Sequence, residues 1–537
     1  MKTTKKTTNK KSTKLLTLLI ILFYSLNLLA QTSQIDIPGD MDGASGLAGD
    51  IIAADGKLFV YTTKSVLVYN LAGNIITSIS FLDDKKYSKF APHYFWSEKY
   101  LADNQMMTYN SNNHLLYVLT PELNIEIINT AMAIPTAQNY SWQLDENVPV
   151  QTPMHGFAVL KFDNIRRRLF LIYNSRRADQ NEYSFHSRSV YFSISSVSEN
   201  GLIRNVDFSK VFEMNNGSDY NKTIFDVEFN DISDVNNEHY NEFYLARRYI
   251  IETCELLTDE NGTYLNVIRE YPDGIVYDEN GKPNPICPNP GKFTKLLYIH
   301  DGNIHKVVAI PYKMPVLGHE PPDECNVEFP VIDIDDPANN QSIVSPHKRV
   351  IDIVYMGGNN DLILCFGDKD EFFNPAYNND NVDRTENDMA IFNYDISTGR
   401  FVDNLDNDDN WINSNPALKG PDDFVKLNIP LRIVKNAADP TNSFFLCKAN
   451  EIVRFDFSGG TYIPDESSRY HGEGCHFYRG TQVGNQTCIL NTGKSAYEIF
   501  TGNAHTTSVQ TGFQALRLCP DPINRKLYVY NDLNIHS

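Results

Sequence analysis

Residues 51–81 read IIAADGKLFVYTTKSVLVYNLAGNIITSISF. Four short apolar runs stand in this stretch, at 51–53, 58–61, 66–69 and 75–81. They are rich in the β-branched and aromatic side chains that suit a pleated strand. The segments between them, Ala54-Asp55-Gly56-Lys57, 62–65 and Leu71-Ala72-Gly73-Asn74, include the Asp, Asn and Gly of tight turns. Four strands in about thirty residues make an antiparallel meander the size of one β-propeller blade.

The same unit, a polar loop followed by strand, turn and strand, returns along the chain. It is read at 112–128, 169–206, 242–268, 359–402, 439–460, 476–500 and 521–535. A further hairpin at 296–310 either ends the fourth copy or opens the next. The spacing, roughly 40 to 70 residues, is irregular in the way that loop insertions make propellers irregular. A β-sandwich would not repeat one such unit along its whole length, and a β-helix would need a shorter and stricter period. The expectation is an all-β chain, a propeller of four-stranded antiparallel blades, seven or eight in number. The last copy stops after two or three strands. Either residues 34–37 supply the missing strand and close the ring, or the chain is a fragment of a longer one.

Composition agrees with strands: there are 30 Tyr and 30 Phe against 10 Met, and 42% hydrophobic residues suffice for a large core. The net charge of −20, with basic clusters only at Arg166-Arg167-Arg168 and Arg176-Arg177, excludes an ordinary nucleic-acid binder. Acidic side chains gather in three segments read as solvated insertions, 311–348, 368–388 and 403–423.

The N-terminus reads as an export signal. Residues 1–14 are basic, 15–29 are apolar, and Leu28-Leu29-Ala30 ends on a small residue, which fits a Sec-type signal peptide cleaved after Ala30. The apolar run of about fifteen residues is shorter than the roughly twenty needed to span a bilayer. No transmembrane segment is expected after cleavage, residues 31–537 form one propeller domain, and the location is secreted or cell-surface. An exported chain permits disulfides. Eight Cys lie at 254, 287, 325, 365, 447, 475, 488 and 519, without a CxxC motif. Cys475 with Cys488 would face each other across a hairpin, and Cys287 with Cys325 would close a Pro-rich insertion. Cys365 and Cys447 occupy the same place in two repeats and read as buried strand thiols.

Chemistry is sparsely marked. There is no Gly-x-Ser-x-Gly elbow, no His-Glu-x-x-His and no P-loop, so no catalytic residue is assigned. Asp40, Asp42 and Asp50, interleaved with Gly43, Gly46 and Gly49, are the candidate metal ligands, in a pattern able to wrap a hard cation such as Ca²⁺. The EF-hand order is not met, a flexible lead-in to the first blade explains the same residues, and no cofactor is required. The acidic run 403–409 offers a second, weaker candidate.

The phrase Asp521-Pro522-Ile523-Asn524-Arg525-Lys526-Leu527-Tyr528-Val529-Tyr530 resembles the repeat unit of YVTN and lactonase-like β-propellers, and Asp55-Gly56-Lys57-Leu58-Phe59-Val60 is similar to it. The resemblance implies architecture. A lactonase-like member would also hold a metal on carboxylate and Asn side chains at its central channel, and no position here matches those ligands. The leading functional reading is a secreted, non-enzymatic binding scaffold for an extracellular protein or glycan. The alternatives are an extracellular carbohydrate- or lactone-active enzyme with its site at the channel, and a fragment of a larger surface adhesin.

Overall fold

The computed structural model of the protein describes residues 34–36, 50–62, 65–81, 105–120, 124–142, 156–176, 187–213, 224–247, 250–271, 289–290, 293–311, 327–344, 349–367, 390–405, 430–448, 451–471, 477–515, 517–531 and 534–537. They form nine sheets, antiparallel except that 289–290 pairs parallel with 327–328 in the fifth. Blades 1 to 8 span 50–80, 107–142, 156–213, 224–271, 293–344, 349–404, 430–471 and 477–510. Blade 9 combines 517–536 with the strand Gln34–Asp36. Blade 1 has the four strands expected from its sequence: Asp50–Ala54, Lys57–Tyr61, Ser65–Asn70 and Ile75–Ser80.

The count is nine blades, not seven or eight. The hairpin at 296–310 is the start of a blade of its own. Its third and fourth strands, Val327–Asp333 and Gln341–Val344, lie inside the acidic segment 311–348 that composition marks as loop. Val331, Ile332 and Ile343 from those strands are buried, so a short apolar stripe outweighs the surrounding Pro and Asp. Blade 9 is split between the two ends of the sequence. Gln34, Ile35 and Asp36 pair antiparallel with His536, Ile535 and Asn534, so the strand missing from the last copy comes from near the N-terminus.

Each blade presents its first strand to the first strand of its neighbours, except that blade 6 meets blade 5 at the second strand, and the sequence of contacts returns from blade 9 to blade 1. The core lies between the faces of successive sheets. Strands buried on both faces read as unbroken apolar runs: all five residues of Leu115–Leu119 are buried, as are the four of Phe243–Ala246. Ring closure has its own core, in which Ile51, Leu58 and Val60 of blade 1 pack with Cys519, Tyr528 and Ile535 of blade 9.

The edges of the innermost strands are tied by carboxylates. Asp50 Oδ2 accepts the Met106 and Met107 N–H, each at 3.0 Å. Asp226 Oδ2 accepts from Leu296 N–H at 3.1 Å, and Asp352 Oδ2 from Ile433 N–H at 2.8 Å. In each case an Asp on one blade satisfies a backbone donor that the sheet of the next blade leaves unpaired.

A meander also sorts its connections. First-to-second and third-to-fourth turns leave at one end of the blade, and second-to-third turns and blade-to-blade links leave at the other. At the first end nearly all turns are short, such as 55–56, 164–167, 302–303 and 484–485. The segments 82–104, 143–155, 177–186, 272–288, 312–326, 368–389 and 406–429 all join strand ends at the second. The longest turn at the first end, 230–242, belongs to the site described next.

Candidate metal centre

The first strand of blade 5, Phe293–Asp301, turns at Gly302-Asn303 into Ile304–Pro311, and this hairpin places His300 directly opposite His305. Side chains two apart share a face of a strand, so Tyr298 joins the two imidazoles. Their rings stack with centroids 4.6 Å apart. Facing them across the seam is Asp231, two residues beyond the first strand of blade 4, Ile224–Phe229.

The loop 230–242 holds Asp231 in place. Arg166 of blade 3 donates to the carbonyls of Asn230 at 2.8 Å and Ile232 at 3.2 Å, and also to the Tyr240 carbonyl and the Asn230 side chain. Asn230 Nδ2 donates to the His239 carbonyl at 2.8 Å, and His239 Nδ1 lies 3.0 Å from Glu242 Oε1. The backbone on both sides of Asp231 is thereby fixed.

Asp231 then meets blade 5 at three atoms. Its N–H donates to the Tyr298 hydroxyl at 3.0 Å, that hydroxyl donates to Asp231 Oδ1 at 2.5 Å, and His300 Nδ1 lies 2.8 and 2.9 Å from the two carboxylate oxygens. His305 Nε2 is 2.7 Å from the same hydroxyl, and its Nδ1 is 3.0 Å from Asp335 Oδ1. Partial burial pushes Asp231 up, but the hydrogen bonds from Tyr298 and His300 outweigh it and hold the carboxyl below its ordinary value. Burial and the neighbouring carboxylate push the Tyr298 phenol well up, so it stays protonated. Asp231 and His300 are exposed, and His305 is buried.

One ligand atom from each of Asp231, His300 and His305 lies within 4.8 Å of the others, a geometry that can hold a metal ion. The same side chains can also pass a proton along a line from Asp335 through His305 and Tyr298 to Asp231. Part of the arrangement is a repeated device for closing seams. Between blades 1 and 2, Asp55 accepts from Tyr109 at 3.0 Å and from Thr130, with His114 Nδ1 at 2.9 Å. Between blades 5 and 6, Tyr355 donates to Asp301 at 3.4 Å and to Asn360 at 3.3 Å. His114 and Asn360 stand at the place of His305 in those two seams, whereas His300 and Asp335 have no counterpart there.

The candidates read from the sequence lie elsewhere. Asp50 is half-buried against Met106 and Met107, and desolvation there pushes its carboxyl up to about 6. Asp40 and Asp42 are outside the described residues, as are 406–409 of the second acidic run. The expected disulfides are not supported. Cys488 is a buried free thiol on the second strand of blade 8, Gln486–Asn491, and burial pushes it up to about 12. Cys475, Cys287 and Cys325 lie outside the described residues. Cys365 and Cys447 are buried free thiols facing Asp352 and Arg432 in the same place of blades 6 and 7, as their repeat positions suggested. Among the described residues no helix is long and apolar enough to cross a membrane.

No family model matches the sequence. No curated protein matches it either. Among solved structures, Sqt1 from Chaetomium thermophilum aligns with 88% of this chain and 100% of its own, at 10% identity and a TM-score of 0.41. The WD40 domain of SCAP from fission yeast aligns over 94% and 97% respectively, at 7% identity and 0.37. A functionally unknown protein from Desulfotomaculum acetoxidans aligns over 77% and 93%, at 11% identity and 0.31. The YVTN/lactonase-like resemblance is corrected by these comparisons, which align the chain with the WD40 domains of SCAP and of Neurospora crassa Pan2. The exported, secreted or cell-surface location inferred beside it is withdrawn on the same finding, and residues 1–30 lie outside the described residues.

Proposed function

We propose that the protein is a non-enzymatic scaffold that binds a protein partner on one face of its ring. The observation that carries this is the sorting of connections. Short turns and side-chain clasps tie one end of the blades, while the long segments 82–104, 272–288, 368–389 and 406–429 all join strands at the other. A ring whose long connections all leave from one end of its strands is the arrangement by which propellers present recognition surfaces. Two of these segments belong to blade 6 or its exit, and both are acidic: 368–389 carries seven acids against two bases, and 406–429 five against two. A basic protein surface is the complement such a face selects, with steering that weakens as salt rises.

The test is affinity capture followed by cross-linking mass spectrometry. Cross-links from Lys369, Lys419 and Lys426 to the captured partner, lost in high salt, sustain the reading. Cross-links confined to Lys57 and Lys526, at the opposite end of the blades, overturn it.

A further inference from the structure

We propose that Asp231, His300 and His305 bind a first-row transition dication of the zinc class, which bridges blades 4 and 5. The donor set is two imidazole nitrogens and one carboxylate oxygen. Imidazole favours Zn²⁺ and its neighbours over Ca²⁺ and Mg²⁺, which prefer all-oxygen shells.

Three features separate this place from an ordinary seam clasp. The first is convergence: the ligand atoms are within 4.8 Å of one another although Asp231 and the histidines come from different blades. The second is the carboxylate behind His305. A histidine that binds a metal through one nitrogen commonly donates its other N–H to a carboxylate, which fixes ring and tautomer. Asp335 Oδ1 sits 3.0 Å from His305 Nδ1 and supplies that partner, leaving Nε2 turned toward the Asp231 side. The third is surplus. The clasps at Asp55 and Asp301 close their seams with a single imidazole or none, His114 and Asn360 standing where His305 stands here, so the second imidazole, His300, and the carboxylate Asp335 are not needed for closure.

Tyr298 now stands between the ligands. Its hydroxyl holds one proton yet touches Asp231 Oδ1 at 2.5 Å and His305 Nε2 at 2.7 Å. A dication takes the place of that shared proton between carboxylate and imidazole, and the phenol moves aside. Solvent completes the coordination, since Asp231 and His300 are exposed.

The experiment titrates the full chain with Zn²⁺ against a chromophoric chelator, and with Co²⁺ for its visible d–d absorption. One equivalent of tight binding is expected, with an absorption envelope typical of mixed nitrogen and oxygen ligands and no displacement by Ca²⁺. His300→Asn and Asp335→Asn both alter exposed side chains and spare folding. The first should weaken Zn²⁺ at least about tenfold, and the second about 10- to 100-fold as an outer partner does. Tyr298→Phe should retain or tighten binding, and His114→Asn, at the seam of blades 1 and 2, should leave it unchanged. Zn²⁺ should raise the melting temperature of the wild type and not of His300→Asn. Equal Zn²⁺ affinity in wild type, His300→Asn and Asp335→Asn overturns the assignment, as does equal displacement by Ca²⁺.

Discussion

Replacing Asp50 separates the two things its carboxylate does. One oxygen accepts two backbone N–H groups on the inner edge of blade 2, each at 3.0 Å. Burial pushes the carboxyl from 3.8 up to about 6, against the pull of those N–H groups and of Arg517. A rise of that size corresponds to about 3 kcal/mol in favour of the protonated form. Because the folded value lies above the unfolded one, folding takes up a proton between about pH 4 and pH 6. The contribution to stability is fully present below that window, falls as pH rises through it and is level above it. Asp50→Asn keeps one acceptor oxygen and loses the charge. It should raise stability at pH 8 by about 1–3 kcal/mol, the lower end allowing for the loss of the Arg517 interaction. The gain should shrink to about a third of its value as pH falls to 4.5. Asp50→Ala strips the acceptor from two buried donors and should lower stability by about 2–4 kcal/mol at pH 8. Urea melts of the three proteins between pH 4.5 and pH 8 read these differences. Subtracting wild type from the Asn variant cancels other acids that titrate in the same range, such as Asp361, which burial also pushes up to about 6. Equal destabilisation by Asn and Ala at pH 8, or a flat difference across the whole range, refutes the reasoning.

Other expectations rest on single contacts. Lys161 Nζ lies 2.8 Å from Asp226 Oδ1, 3.0 Å from Glu228 Oε2 and 2.7 Å from the Val227 carbonyl, so Lys161→Met strands two largely buried carboxylates. A loss of about 3–5 kcal/mol in urea melts is expected, and a loss under 1 kcal/mol sinks the idea that this ion triad holds blade 3 to blade 4. A Cβ at Gly480, on the first strand of blade 8, would overlap the Val434 side chain of blade 7. Gly480→Ala should therefore cost about 1–3 kcal/mol by overpacking, and a melt indistinguishable from wild type would show that the seam yields freely. Cys254, Cys365, Cys447, Cys488 and Cys519 are buried thiols, and burial raises Cys254, Cys447, Cys488 and Cys519, so iodoacetamide at pH 8 should label the five only in denaturant. Peptide mass spectrometry showing Cys488 alkylated in the folded protein would contradict its placement.

Local patterns were legible where one stretch of sequence makes one sheet. In blade 1 every apolar run becomes a strand and every Gly or Asn cluster a turn, because the neighbours in sequence are also the neighbours in the ladder. Blade 5 hid because its second and third strands are separated by Pro-rich sequence, and Val331, Ile332 and Ile343 are too few to announce strands there. Blade 9 takes one of its four strands from the other end of the chain, the first of the two alternatives that its short last copy left open. The candidate metal centre was half legible. His300 and His305 flank Gly302-Asn303 in a hairpin already visible in the sequence, and a two-residue turn makes them cross-strand neighbours. Asp231 lies 69 positions before His300 and meets it only because blade 4 packs on blade 5. Nothing local in Asp231 or Asp335 distinguishes either from the chain's other 65 acids. Asp50 was noticed for its glycines, whereas its role comes from backbone donors more than fifty residues away.

The pairing of Gln34–Asp36 with Asn534–His536 also sets an order of events during synthesis. Among the described strands, the one that leaves the ribosome first is the one paired last. At about 5–20 residues per second, residues 34–36 wait on the order of half a minute or more before their partner exists. Until then blade 9 cannot form, and Leu58 and Val60 of blade 1 lack the packing of Tyr528 and Ile535. Joining ends so far apart costs about 5–6 kcal/mol of chain entropy beyond a local hairpin's constant, which the apolar seam between the first and last blades must exceed. The nascent chain therefore carries an unpaired sheet and a bare hydrophobic flank for most of its time on the ribosome, and it is in that interval that it most needs shielding from other chains.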